Sequence, residues 1–170
     1  TTMQSAFSKL DDKNDFNFSA LSNSSPTNIF AQFDGTAALT GSFAVVVSQL
    51  AQSEIRQSTA RSSASADLNS GSAYAFTIQT GSGATLDVSL AAGAVSLNSA
   101  ATAINALDVG YTAWVVETST GNNQLLLQGV SGSASAITIV DNTNLFGLNT
   151  NSNKKQSAQN AEGTMNGVNI

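Results

Sequence analysis

YAFTIQTGSGATLDVSLAAGAVSLNSAATAINAL, residues 74–107, changes its period in the middle. Tyr74, Phe76 and Ile78 alternate with Ala75, Thr77 and Gln79, which is the two-residue repeat of a strand with one apolar face. Gly81-Ser82-Gly83 reads as a turn, after which Leu86, Val88 and Leu90 alternate again. The two runs therefore predict a hairpin. From Ser96 the spacing becomes helical. Ser96 is a good N-cap, Leu97, Ala100, Ala101, Ile104 and Leu107 fall on one stripe, and Gly110 stands where a helix stop is expected.

Downstream, Tyr111–Val116 predicts a strand, 119–123 a turn, Gln124–Gln128 a strand, 129–133 a further turn, and Ala136–Val140 a last extended run. The fold class is thus α+β and β-rich: a mainly antiparallel sheet with one covering helix, a ββαββ unit. The flanks are less regular. Met3, Ala6, Phe7 and Leu10 have helical spacing and predict the end of a helix over 1–13. Residues 11–25 read as a polar linker running up to the only proline, Pro26. Ile29–Phe33 is a candidate strand, and Phe43, Val45 and Val47 predict a buried strand at 42–48. Leu50 and Ile55 lie in a stretch that fits either a strand tail or a short helix. The small residues of 62–72 suggest a domain boundary, and 145–152 is Asn-rich and loop-like. Asn166-Gly167 between Met165 and Val168 is a strong two-residue hairpin signal. The expected organisation is a unit over 66–150 inserted in a second small β-rich domain formed by 27–52 plus 154–170.

Composition narrows the function. The 170 residues are 41% hydrophobic, enough for a real core, but only 10% are charged and the net charge is −5. Six cations are spread along the chain, so nucleic acid is an unsuitable partner. No apolar run approaches the ~20 residues that cross a bilayer, so no membrane insertion is expected. The chain opens at Thr1 rather than Met, and both ends read as cuts inside a longer protein.

With neither His nor Cys, the chain has no Ser-His-Asp or Cys-His set. Ser paired with Lys9, Lys154 or Lys155 as base has no supporting motif. Asp87, Asp108, Glu117 and Asp141 are the carboxylates that could act in pairs, and solvated strand and loop positions explain each of them. In Asp11-Asp12-Lys13-Asn14-Asp15, Lys13 stands where a calcium loop needs an oxygen ligand. Gly81-Ser82-Gly83 joins two strands, unlike a phosphate-cradling loop. Neither metal nor cofactor is expected. Trp114 could stack on a sugar or partner surface, although its place in mid-strand favours half-buried sheet packing. Ile104 reads as a core residue, and Asn105 as a side chain bonded to a neighbouring loop backbone.

Residues 74–128 resemble the flagellin hook IN motif: a hairpin, a small helix bearing the pair Ile104-Asn105, then two strands. Three further blocks occur in matching order. QSAFSKL (4–10) resembles the end of the leg helix of the bacterial flagellar filament cap family, also called hook-associated protein 2. SFAVVVSQLAQ (42–52) resembles the strand that follows its N-terminal helices, and AQNAEGTMNGVNI (158–170) a later segment. Residues 11–33 and 54–61 depart from the family pattern. The resemblance implies a structural head module and not an enzyme, exported to the extracellular filament tip. It implies flagellin as a partner, and self-association into a ring by the full-length protein. Two alternatives stay open: an IN-motif segment of a flagellin or hook–filament junction protein, and an adhesive head that binds host glycan or mucin. Polar sheet faces, no long exposed apolar stripe and fewer than eight or ten large apolar residues to spare outside the core lead to the expectation that this chain alone is monomeric or only weakly associating.

Overall fold

Alternating and helical periods, separated by Gly, Asn and Ser turns, produce ten short strands and one α-helix in the described part of the chain. The computed structural model describes Ser22, Ser24 and residues 41–170. The expected helix over 1–13 and strand at Ile29–Phe33 lie outside the described residues. In chain order the elements are β1 (Val45–Gln49), β2 (Ser53–Gln57), β3 (Tyr74–Thr80), β4 (Thr85–Leu90), α1 (Leu97–Asn105), β5 (Thr112–Ser119), β6 (Asn122–Ser131), β7 (Ile137–Val140), β8 (Lys154–Gln156), β9 (Glu162–Met165) and β10 (Val168–Asn169). Of the ambiguous 50–55 stretch, residues 53–55 belong to strand β2 and 50–52 lie between β1 and β2, and the expected turn at 129–133 begins later because β6 runs on to Ser131.

These strands form three sheets, ordered β1-β9-β10, β5-β6-β2-β8 and β4-β3-β7, and every pairing is antiparallel. The fold is α+β and β-rich. The ββαββ strands are nevertheless divided between two sheets, with β3 and β4 in one and β5 and β6 in the other. Alternation makes one face of each apolar. Phe76, Ile78, Val88, Leu90, Ile137 and Ile139 come from the first, and Ala113, Leu125 and Leu127 from the second, into one continuous hydrophobic cluster. The nine residues of α1 are too few to hold a helix alone. Leu97, Ala100, Ala101 and Ile104 fix it by burial, and α1 touches β4, β5 and β6. Its start is a capping box in which Ser96 Oγ accepts from Ser99 N–H at 3.1 Å and Ser99 Oγ accepts from Ser96 N–H at 2.8 Å. The helix stops at Asn105, so Leu107, the last residue of the expected stripe, packs on the core from the turn beyond it.

Two segments read as irregular carry structure. Phe146 and Leu148, in the Asn-rich loop, are 1% and 2% exposed. Phe146 meets Tyr74 edge-on at 5.7 Å between ring centroids and Phe76 at 5.9 Å. In the small-residue stretch, the Asp67 carboxylate accepts from the N–H groups of Gly71 (2.5 Å), Val95 (3.2 Å) and Asn69 (3.5 Å). The Gly71 bond above all holds its carboxyl below the usual range.

The 42–48 expectation needs correction. The strand is β1, and Val45, Val46 and Val47 are all exposed, Val46 by 60%. Its sheet is a three-stranded ribbon, and among the described residues no second layer shields those valines. Met165, Val168 and Ile170 are exposed on the same ribbon or just beyond it. Eleven large hydrophobic side chains are exposed among the described residues, so the expectation that eight or ten could not be spared for an interface fails as well. The Asn166-Gly167 turn has φ of +51° and +82°, the paired positive values of a type I′ hairpin. Asn166 Oδ1 also accepts from Ala44 N–H at 2.8 Å, which ties the turn to the start of β1.

Candidate functional site

The residues that combine charge, burial and position lie on β2. Its sequence Ser53-Glu54-Ile55-Arg56-Gln57 alternates, so Glu54 and Arg56 share the face turned toward the core. Their side chains are 1% and 7% exposed. Glu54 Oε1 accepts from Arg56 Nε at 2.7 Å, and Oε2 accepts from Ile137 N–H at 3.2 Å, with Lys154 Nζ at 3.5 Å. Arg56 Nη2 donates to Ile137 C=O at 2.6 Å and Nη1 to Leu148 C=O at 3.0 Å. Together the pair satisfies both backbone groups of Ile137, as a neighbouring strand would. It joins the β5-β6-β2-β8 sheet to the β4-β3-β7 sheet and holds the 145–148 loop against both. Burial raises the Tyr111 hydroxyl above its ordinary pKa, and the Glu54 charge adds to the shift. Sequence reading missed this cluster. The available signal was two opposite charges at i and i+2 in one short strand, Ser53–Gln57.

Ile104 and Asn105 perform two different tasks. Ile104 is fully buried. Asn105 Nδ2 donates to Ala113 C=O and Asn105 Oδ1 accepts from Ala113 N–H, both at 2.8 Å. The backbone it meets is strand β5, not a loop as expected. Gly110 has φ +82°, and a Cβ there would lie 2.9 Å from Val130 Cγ2, so both conformation and space favour glycine. Trp114 is half-buried, opposite Leu126 on β6.

The candidate carboxylates do not assemble into one centre. Asp108 is exposed, and Glu117 accepts from Gly121 N–H at 2.9 Å, which fastens the β5–β6 turn. Asp87 accepts from Thr77 Oγ1 at 2.7 Å. Asp141 accepts a hydrogen bond from the Tyr74 hydroxyl. That hydroxyl also accepts from Leu145 N–H at 3.1 Å and Thr143 Oγ1 at 3.2 Å. Burial, followed by the bond to Asp141, raises the Tyr74 pKa. Asp87 and Asp141 do line one open depression of 580 Å³, with Thr77, Ser89, Val140 and Thr143. Lys154 reaches Glu54, whereas Lys155 donates to Ser152 C=O at 3.1 Å. Lys9 and residues 11–15 lie outside the described residues. Gly81-Ser82-Gly83 forms the β3–β4 turn, with Gly83 N–H donating to Thr80 C=O at 2.9 Å. Among the described residues, no three of His, Cys, Asp and Glu are grouped as metal ligands. Nor is any described helix long and apolar enough to cross a membrane.

No family model matches the sequence, and no curated protein does. Solved structures do match. The D2–D3 domains of the flagellar cap protein FliD from Serratia marcescens are 28% identical, with a TM-score of 0.65 over 79% of this chain and 78% of that one. The D1–D2–D3 domains of the Escherichia coli protein are 24% identical, with a TM-score of 0.66 over 78% of this chain but only 43% of that one. FliD (HAP2) from Pseudomonas aeruginosa is 18% identical, with a TM-score of 0.58 over 79% and 67%. The last two speak for the fold alone, and this chain spans less than half the length of the three-domain structure. In its fold, this chain is similar to the D2–D3 domains of flagellar cap proteins.

Proposed function

We propose that the chain serves as a scaffold and interaction module in a flagellar filament cap, without catalysis, supporting retention and polymerisation of flagellin at the extracellular filament tip. The observation that carries this reading is the likeness to the Serratia D2–D3 domains across four fifths of the chain. The construction supports it: Asp87, Glu117 and Asp141 are engaged in structural hydrogen bonds, and two sheets are cross-linked by a buried ion pair. A plate that retains exported subunits must keep its shape while its neighbours move, and buried, fully bonded charge resists relative sliding of the sheets.

In this reading the full-length protein exits through the flagellar secretion channel and closes into a ring, whereas this chain alone is monomeric or weakly associating. Residues 66–150 are the inserted domain, and 27–52 with 154–170 are the second, β-rich one. The exposed valines of β1 support that division, because a ribbon with apolar residues on it gains by belonging to a larger layer. The test compares the full-length protein with a version lacking this head, in cells deleted for the resident cap protein. Electron microscopy of the purified full-length protein is expected to give closed rings. The headless version is expected to release unpolymerised flagellin into the medium and to leave short filaments. Normal filaments and parent-level flagellin release without the head would overturn the proposal.

A further inference from the structure

β5 is the outer strand of its sheet, with β6 on one side and, among the described residues, no strand on the other. Ala113 gives both its backbone groups to Asn105, so it points away from β6, although it is registered with Leu127. Alternation along an antiparallel strand then turns the backbone groups of Val115 and Glu117 outward too. This outward set, 113, 115 and 117, is complementary to itself. A second copy placed antiparallel about Val115 would pair 115 with 115, 113 with 117, and 117 with 113. Open edges of this sort are where sheets join between molecules.

The geometry points to Asn105 as an edge guard. Its carboxamide offers one donor and one acceptor, as a peptide group does, and takes up Ala113. In a symmetric pair of chains, guarding Ala113 in both copies removes the 113–117 and 117–113 pairings and leaves only 115–115. The free edge of β7 is closed in the same manner, with Glu54 and Arg56 on the N–H and C=O of Ile137. The molecule thus uses side chains twice to end a strand edge. The inferred latent surface is the β5 edge, and the partner it fits is a second copy of this chain.

The experiment uses the full chain and three single variants, Asn105→Ala, Asn105→Ser and Asn105→Asp. Mass is followed by sedimentation over a concentration series, with hydrogen exchange at 112–119 as the second readout. Asn105→Ala and Asn105→Ser expose Ala113. Asn105→Asp keeps the acceptor but loses the donor, and brings like charges together across the two-fold. Freeing two residue pairs is expected to tighten self-association of the Ala and Ser variants by about a hundredfold relative to the parent. The amides of Ala113, Val115 and Glu117 should become protected as the dimer forms, and the Asp variant should stay at the parent's mass. Adding Glu117→Pro to Asn105→Ala removes an outward donor and should reverse the association. The inference falls if folded Ala and Ser variants keep the parent's mass, or associate without protecting those amides. It also falls if association survives Glu117→Pro. Unfolding of both variants would overturn it as well, since Asn105 would then hold the fold and not the edge.

Discussion

Replacing Arg56 by Met tests the joint between the two large sheets. Met keeps much of the apolar stem and removes three donors, those to Glu54, Ile137 and Leu148 at 2.7, 2.6 and 3.0 Å. What is left is a carboxylate with a 1% exposed side chain. It retains one N–H at 3.2 Å and a lysine at 3.5 Å whose side chain is 33% exposed. Removing one partner of a buried pair costs about 3–5 kcal/mol, and each carbonyl deprived of its donor about 1–3 kcal/mol. Lys154 shifting toward Glu54 offsets part of this, so a loss of about 4 kcal/mol is expected. For a chain of this size that is a fall in Tm of roughly 8–16 °C. The double variant Glu54→Leu with Arg56→Met removes the stranded charge but also leaves Ile137 N–H without its acceptor, so three backbone groups lose partners, at a cost of about 3 kcal/mol. The double variant should therefore be more stable than the single. Urea unfolding with matched thermal melts measures both. A single variant melting within about 3 °C of the parent, or a double variant less stable than the single, would refute the reasoning.

Three further outcomes are expected. Ile104→Ala removes three carbons from a fully buried site and should cost about 2–5 kcal/mol in urea unfolding, with the parent's secondary structure in circular dichroism. Gly147→Ala should destabilise by about 2 kcal/mol or more, because φ is +75° and a Cβ would strike Thr59, whose N–H donates to the Phe146 carbonyl at 2.8 Å. Tyr74 has a folded pKa above its unfolded value of 10.0, so its neutral form favours the fold. That contribution is complete below pH 10 and is lost as pH rises through the folded pKa. Melts between pH 9 and 11 should accordingly fall more steeply for the parent than for Tyr74→Phe.

The core built from residues 74–140 was legible because its elements are local. A strand's side chains alternate whatever lies beside it, a helical stripe and its Ser96 cap sit within one turn of each other, and Asn166-Gly167 needs only its own backbone to reverse the chain. Those properties set β3, β4, α1, β5, β6, β7 and the β9–β10 hairpin without reference to distant residues. The allotment of strands to sheets was beyond sequence, since period two does not say which strand lies alongside. β2 pairs with β6, some seventy residues away. The run around Val45–Val47 was read as buried from its hydrophobicity alone, but burial requires a covering layer, which only the assembled chain can supply. Phe146 and Leu148 were hidden by their Asn neighbours, which satisfy the loop backbone while those two side chains fill the core. Glu54 and Arg56 carried no motif that set them apart in the sequence. They became the joint of the molecule because folding carries Ile137 and Leu148 to them, and in a water-poor interior the unpaired backbone groups and the two opposite charges can satisfy only one another.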